Sequence, residues 1–254
     1  RGIQAHNVIA TVKHFAVNSI ENSRFKVDVR VGDRSLREVY LPHFKRILDA
    51  GCASVMSAYN KLNGEYCGQN RSLLTDILRH EWGFDGFVHS DWIMGVYSAY
   101  GASAGLDIEN PEPIHFGEKL IAGIESGAID PGVVESACRR ILGTLYRFAC
   151  APDPIETYDM DFVTCDDHVA LAREAAEKSA VLLSNNGLLP LETGANIGFF
   201  GRLADTENLG DFGSSRVHAP YSVTALAGVS KLTNQNLSVL GDESDPTAAA
   251  LAAA

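Results

Sequence analysis

The chain has 254 residues, 46% of them hydrophobic and 21% charged, enough for one large domain or two small ones with an ordinary buried core. A formal net charge of -11 leaves no basic excess to neutralise phosphates, which argues against nucleic acid as a partner. No apolar run is long enough to cross a bilayer, so no membrane partner is expected, and the five cysteines, odd in number and never spaced Cys-x-x-Cys, signal neither a zinc site nor a disulfide framework.

Val8 to Val12 is a short β-rich run that ends at Lys13-His14-Phe15. Ser35-Leu36-Arg37-Glu38 is a capping-box pattern, and Leu36, Val39, Phe44, Ile47 and Leu48 give the helix it opens one apolar face, closed by Gly51. Pro42 conflicts with a single straight helix, so the helix starts later or bends there. The second strand, Ala53 to Ala58, ends at Tyr59-Asn60 and leads through an Asn63-Gly64 loop to a helix from Ser72 to Trp82, stopped by Gly83. The third strand, Phe87-Val88-His89-Ser90, ends at Asp91-Trp92. A weak fourth, around Leu106-Asp107-Ile108, precedes a helix from Glu118 to Ser126. Asp130-Pro131 then opens another, with a stripe of Val134, Ala137, Ile141 and Leu145.

Residues 150 to 166 read as a linker between a first domain, 1–149, and a second, 167–254. The second has a helix from Asp167 to Lys178, a strand at Val181-Leu182-Leu183, a turn at Asn186-Gly187 and a strand at Ile197 to Gly201. A helix near Thr224, a strand near Leu237 to Leu240 and an alanine-rich helix from Pro246 follow. Strands alternate with helices and no hairpin signature is present, which predicts an α/β fold with a parallel sheet or barrel.

In such folds the C-terminal ends of the strands face the ligand crevice. Three successive strand ends carry Lys13-His14, Tyr59-Asn60 and Asp91-Trp92, so a shared pocket is expected with Asp91 as candidate nucleophile. The competing reading of Asp91 is a helix cap. Gly101-Ala102-Ser103-Ala104-Gly105 matches the Gly-x-Ser-x-Gly pattern of serine hydrolases, yet no strong strand precedes it and no helix directly follows, which argues against a nucleophilic Ser103. Gly198, Gly201, Gly210 and Gly213 lack phosphate-loop spacing, so no nucleotide is expected.

Lys13-His14-Phe15 with Asn18, Glu21 and Arg24, the run Val55 to Gly64, Gly86 to Trp92 and Gly105-Leu106-Asp107 together resemble the barrel domain of family 3 glycoside hydrolases, the β-glucosidase branch. Ala172 to Ala176, Val181-Leu182-Leu183, Leu189-Pro190-Leu191 and Asp211-Phe212-Gly213-Ser214-Ser215 resemble that family's second domain. The resemblance implies the C-terminal half of a TIM-type (β/α)8 barrel followed by the start of an α/β sandwich. It implies a retaining hydrolase of terminal β-D-glucosyl residues, whose partner is a small β-glucoside or oligosaccharide and which needs no cofactor or metal. Asp91 becomes the nucleophile, Trp92 a sugar-stacking neighbour, and Lys13, His14 and Arg24 ligands of the sugar hydroxyls. Tyr59 steadies the nucleophile, and Ser215, or less surely Ser214, reaches in from the second domain.

Ala16-Val17-Asn18 stands where the N-acetylglucosamine branch has Pro-Gly-His, which disfavours that branch. The family's remaining sugar-gripping Asp and Arg would precede Arg1 and its acid/base Glu would follow Ala254, so the chain reads as cut at both ends. Glu207 is not at the acid position. A β-xylosidase or arabinofuranosidase, or an inert carbohydrate-binding fragment, are the competing functions; compartment and oligomeric state stay open.

Overall fold

A computed structural model describes residues 1–152, 159–210 and 213–241. The chain divides into two compact units, Arg1–Phe162 and Val163–Ala254.

The first unit is built on a parallel sheet. Strand β1 (Thr11–Phe15) pairs with β3 (Ser54–Ser57), which pairs with β6 (Phe87–His89), and Ile108 adds a single parallel bridge to His89. The fourth predicted strand is therefore reduced to that bridge. Inward residues Phe15, Val55 and Val88 are fully buried, and helices α1 (Pro42–Asp49) and α2 (Ser72–Glu81) cover one side of the sheet with Phe44, Leu73, Leu74, Ile77 and Leu78. Edge-to-face contacts of Phe15 with Phe44 (5.1 Å) and Trp82 (5.9 Å) fasten the two helices to β1.

The capping box at Ser35 does not form. The backbone is already helical from Asp33, Leu36 N–H bonds Gly32 O at 3.0 Å, and Glu38 accepts from Arg34 Nε at 3.0 Å instead of reaching back. Pro42 begins α1 in its first turn, where a missing N–H costs nothing. The break at Leu41 rotates the helical phase, so Leu36 and Phe44 are buried while Val39 and Ile47, expected inward, are exposed.

A hairpin stands where a loop was expected. Strands β4 (Lys61–Leu62) and β5 (Glu65–Tyr66) pair antiparallel across Asn63 and Gly64, both at positive φ (51° and 100°), and β2 (Asp28–Val29) runs parallel to β4. Asn63 also exchanges two 3.0 Å hydrogen bonds with the backbone of Val31, which ties the turn to the chain beyond β2. Asn70 is buried, its Nδ2 donating to Leu62 O and its Oδ1 accepting from Leu73 N, so this residue is structural.

Helices α3 (Tyr100–Ala104), α4 (Glu118–Glu125) and α5 (Gly132–Ala149) complete this unit. Ser103 lies inside α3, which ends at Gly105 with φ +110°, so the Gly-x-Ser-x-Gly match has no strand before it. Asp130 Oδ1 accepts from Gly132 N at 2.9 Å at the start of α5.

In the second unit α6 (Asp166–Ser179) is followed by an Asn185-anchored turn. Strand β7 (Phe199–Phe200) pairs parallel with β8 (Val239–Gly241), and α7 (Ala225–Thr233) is capped by Thr224 Oγ1 accepting from Ala227 N. Val181-Leu182-Leu183 is not a strand. These three residues are exposed and pair with no neighbour among the described residues, and an apolar run without a ladder partner has nothing to hold it extended. The predicted helix from Pro246, together with Asp211 and Phe212 of the Gly-Ser motif, lies outside the described residues.

Candidate active site

The three strand ends converge. Asp91 follows β6, is 8% exposed, and places Oδ2 3.5 Å from His14 Nε2 on β1. Its Oδ1 accepts the backbone N–H of Trp92 at 2.8 Å. The next helix begins only at Tyr100, so Asp91 caps no helix. A Cβ on Gly95 would overlap the backbone of Asp91, and this close return of the chain fixes the carboxylate's peptide from behind.

Tyr59, after β3, is buried and donates its hydroxyl to Trp92 O at 2.8 Å. Burial, then the adjacent Asp91 charge and a hydrogen bond to it, push the phenol up to about 12, so it stays a protonated donor beside the carboxylate. Arg24 lies 5.6 Å over the Tyr59 ring and 4.6 Å over Phe25, and pairs with Glu21. Lys13 is exposed, and its charge acts on both His14 and His89. Trp92 is half-exposed beside the carboxylate. Ser215 lies exposed in the second unit.

Burial lowers the pKa of His14 below 6.5 and outweighs the opposing pull of Asp91, and Lys13 lowers it further. The 3.5 Å contact is thus a neutral imidazole beside a carboxylate rather than an ion pair at neutral pH. Burial also lowers His89, the residue two before Asp91. In the unfolded chain both rings take a proton as pH falls through 6.5, whereas the folded rings hold out to lower pH. The unfolded state therefore binds more protons in that window, and stability falls as pH drops. Urea midpoints measured from pH 7 to pH 5.5 should decrease, and His89→Gln should flatten the slope. A midpoint that rises on acidification would contradict these assignments.

Two neighbours escaped the sequence reading. His89 Nδ1 lies 2.9 Å from Asn110 Nδ2, and Asn110 N donates to Ser90 Oγ at 2.9 Å. Only the register between β6 and the Ile108 segment brings them together. Asp107, seen as part of a motif, is a structural anchor. Its carboxylate is fully buried and accepts from Arg79 Nη2 (2.6 Å), Val88 N (2.7 Å) and Arg140 Nε and Nη2 (2.9 and 2.6 Å).

Residues 1–143 match the family model described as "Glycosyl hydrolase family 3 N terminal domain". Among curated proteins, a β-glucosidase of Rhizobium radiobacter is 42% identical over 243 residues, covering 92% of this chain and 29% of that protein. An exo-α-(1->6)-L-arabinopyranosidase of Bifidobacterium longum is 37% identical, covering 88% of this chain and 30% of that protein. The crystal structure of a Kluyveromyces marxianus β-glucosidase in complex with glucose superposes with a TM-score of 0.84 at 32% identity, over 95% of this chain and 30% of that one. The chain thus spans under a third of the length of these relatives.

Proposed function

Because the chain belongs to glycosyl hydrolase family 3, we propose that the protein hydrolyses terminal non-reducing β-D-glucosyl residues by double displacement, with Asp91 as nucleophile. One observation carries this reading: a buried carboxylate at a strand end, 3.5 Å from His14 and flanked by the Tyr59 phenol. The Asp91 carboxylate attacks the anomeric carbon, the aglycone oxygen leaves with a proton from an acid, and water then displaces the carboxylate with that same group as base. The acid/base carboxylate, roughly 5 Å from the first in a retaining enzyme, is expected from the family's second domain.

The neighbours have matching roles. Tyr59, its hydroxyl donated to the Trp92 carbonyl, steadies the backbone that carries the nucleophile. Lys13, neutral His14 and Arg24 hydrogen-bond sugar hydroxyls, Trp92 stacks on the sugar, and Ser215 contributes from the second domain. Residues 1–149 are read as part of a (β/α)8 barrel, joined through 150–166 to a sandwich domain at 167–254. The run of parallel strands β1, β3 and β6 with helices between them supports this reading.

The test is stereochemical. In the protein as its gene encodes it, proton NMR of an aryl β-glucoside hydrolysis should show β-glucose as the first product, because two inversions restore the anomer. First-formed α-glucose would remove Asp91 as a covalent nucleophile.

A further inference from the structure

His89 is a polar side chain that the reading above leaves unused. It precedes Asp91 by two residues and shares its face of the chain, because side chains alternate along an extended strand and the fully buried Val88 and Ser90 take the other face. The charges of both Asp91 and Lys13 act on its half-buried ring.

Two contacts of His89 Nδ1, with the Asn110 side chain at 2.9 Å and the Ser90 carbonyl at 3.2 Å, bear on which nitrogen carries the proton. The Ser90 carbonyl can only accept, so the Asn110 side-chain atom 3.1 Å from it is the amide nitrogen. The second N–H of that amide faces His89 Nδ1 at 2.9 Å, and Nδ1 also lies 3.2 Å from the Ser90 carbonyl; a proton on Nδ1 would oppose the shorter contact, so the arrangement favours Nδ1 as acceptor. A neutral imidazole that accepts at Nδ1 has its proton on Nε2. Asn110 is itself immobilised, since its backbone N–H bonds Ser90 Oγ. The result is an uncharged donor held in fixed orientation next to the nucleophile. A hydroxyl is its natural partner, because a cation has nothing to accept with and a carboxylate is matched better by the nearby Lys13.

We propose that His89 is a further sugar-binding residue, its Nε2–H donating to one ring hydroxyl of the glycoside bound against Asp91, with Asn110 as the positioning residue that sets the tautomer. This rests on the glycosidase reading. A site built around a donor for one hydroxyl discriminates against the analogue that lacks it, typically far more than an apolar contact can.

The experiment compares kcat/KM of the parent protein and His89→Phe on p-nitrophenyl β-glucoside and its 2-, 3-, 4- and 6-deoxy analogues. His89→Phe should lose about 10- to 100-fold on the intact glucoside and on three of the analogues, and essentially nothing on the fourth, which identifies the hydroxyl. Asn110→Ala should show the same pattern with a smaller loss. His89→Gln, which keeps a side-chain N–H, should recover part of the activity and serves if the Phe variant does not fold. Where turnover is too slow to follow, the affinities of glucose and the deoxyglucoses read from tryptophan fluorescence should give the same single exception. An equal loss on every analogue, or no loss on any, would overturn the proposal. An Asp91→Asn variant run alongside separates this failure from failure of the underlying reading, since retained turnover there sinks only the latter's nucleophile.

Discussion

Asp91→Asn should lower kcat/KM on aryl β-glucosides by at least about 10⁴-fold while leaving glucose affinity within about tenfold of the parent. The substitution is nearly isosteric, and the amide oxygen can still accept the Trp92 N–H that Asp91 Oδ1 takes at 2.8 Å. The local backbone, pinned by Gly95, has no cause to move. What disappears is the charge and the lone pair that attacks carbon. The hydroxyl contacts proposed for Lys13, His14 and Arg24 are untouched, so on the proposed mechanism ground-state binding persists while the covalent route closes. Asp91→Gly supplies the complement, because it opens room for azide to attack from the vacated side. The expected product is α-glucosyl azide, inverted once. Near-normal hydrolysis by Asp91→Asn, or a collapse of glucose affinity in step with rate, would instead assign the carboxylate to binding or structure.

The parts of this site that were legible in the sequence are those set by local chemistry. An apolar β run that gives way to Lys13-His14, Tyr59 or Asp91 marks a strand end, and parallel pairing of β1, β3 and β6 then gathers the three ends without further information. The parts that were not legible depend on partners far along the chain. Arg79 and Arg140 reach Asp107 across 28 and 33 positions, and nothing in their own helices marks them as inward cations. Asn110 gains meaning only from the pairing of the Ile108 segment with β6. The hairpin at Asn63-Gly64 was hidden by the brevity of its strands, two residues each, too short for alternation to show. Val181 to Leu183 failed in the opposite sense, since its strand propensity is real but propensity without a neighbouring strand makes no ladder.

Asp107→Ala should destabilise the first unit by about 3–5 kcal/mol, the cost of removing one member of a buried ionic cluster and leaving the others uncompensated. Two guanidiniums converge on this carboxylate, and burial already works against the charge on Arg79, whose pKa it lowers. With the carboxylate gone, the Val88 N–H in the centre of β6 also loses its acceptor in a fully buried position. Arg79 is not simply replaceable, because it also donates to the carbonyls of Gly86 and Gly105, bridging the entry of β6 to the end of α3. Arg140 makes its bonds to Asp107 alone among the described hydrogen bonds, so it is the cleaner partner for a double-mutant cycle. Arg140→Met combined with Asp107→Ala should cost less than the sum of the two single losses, by about 1–3 kcal/mol, when urea unfolding is followed by circular dichroism. Strict additivity, or an Asp107→Ala loss under about 0.5 kcal/mol, would show that the cluster carries no net stabilisation. Activity offers an independent reading, because Val88 lies three residues before Asp91. If the cluster sets the register of β6, a residual folded fraction of Asp107→Ala should have a reduced kcat, whereas a purely additive stability role would leave kcat per folded molecule unchanged.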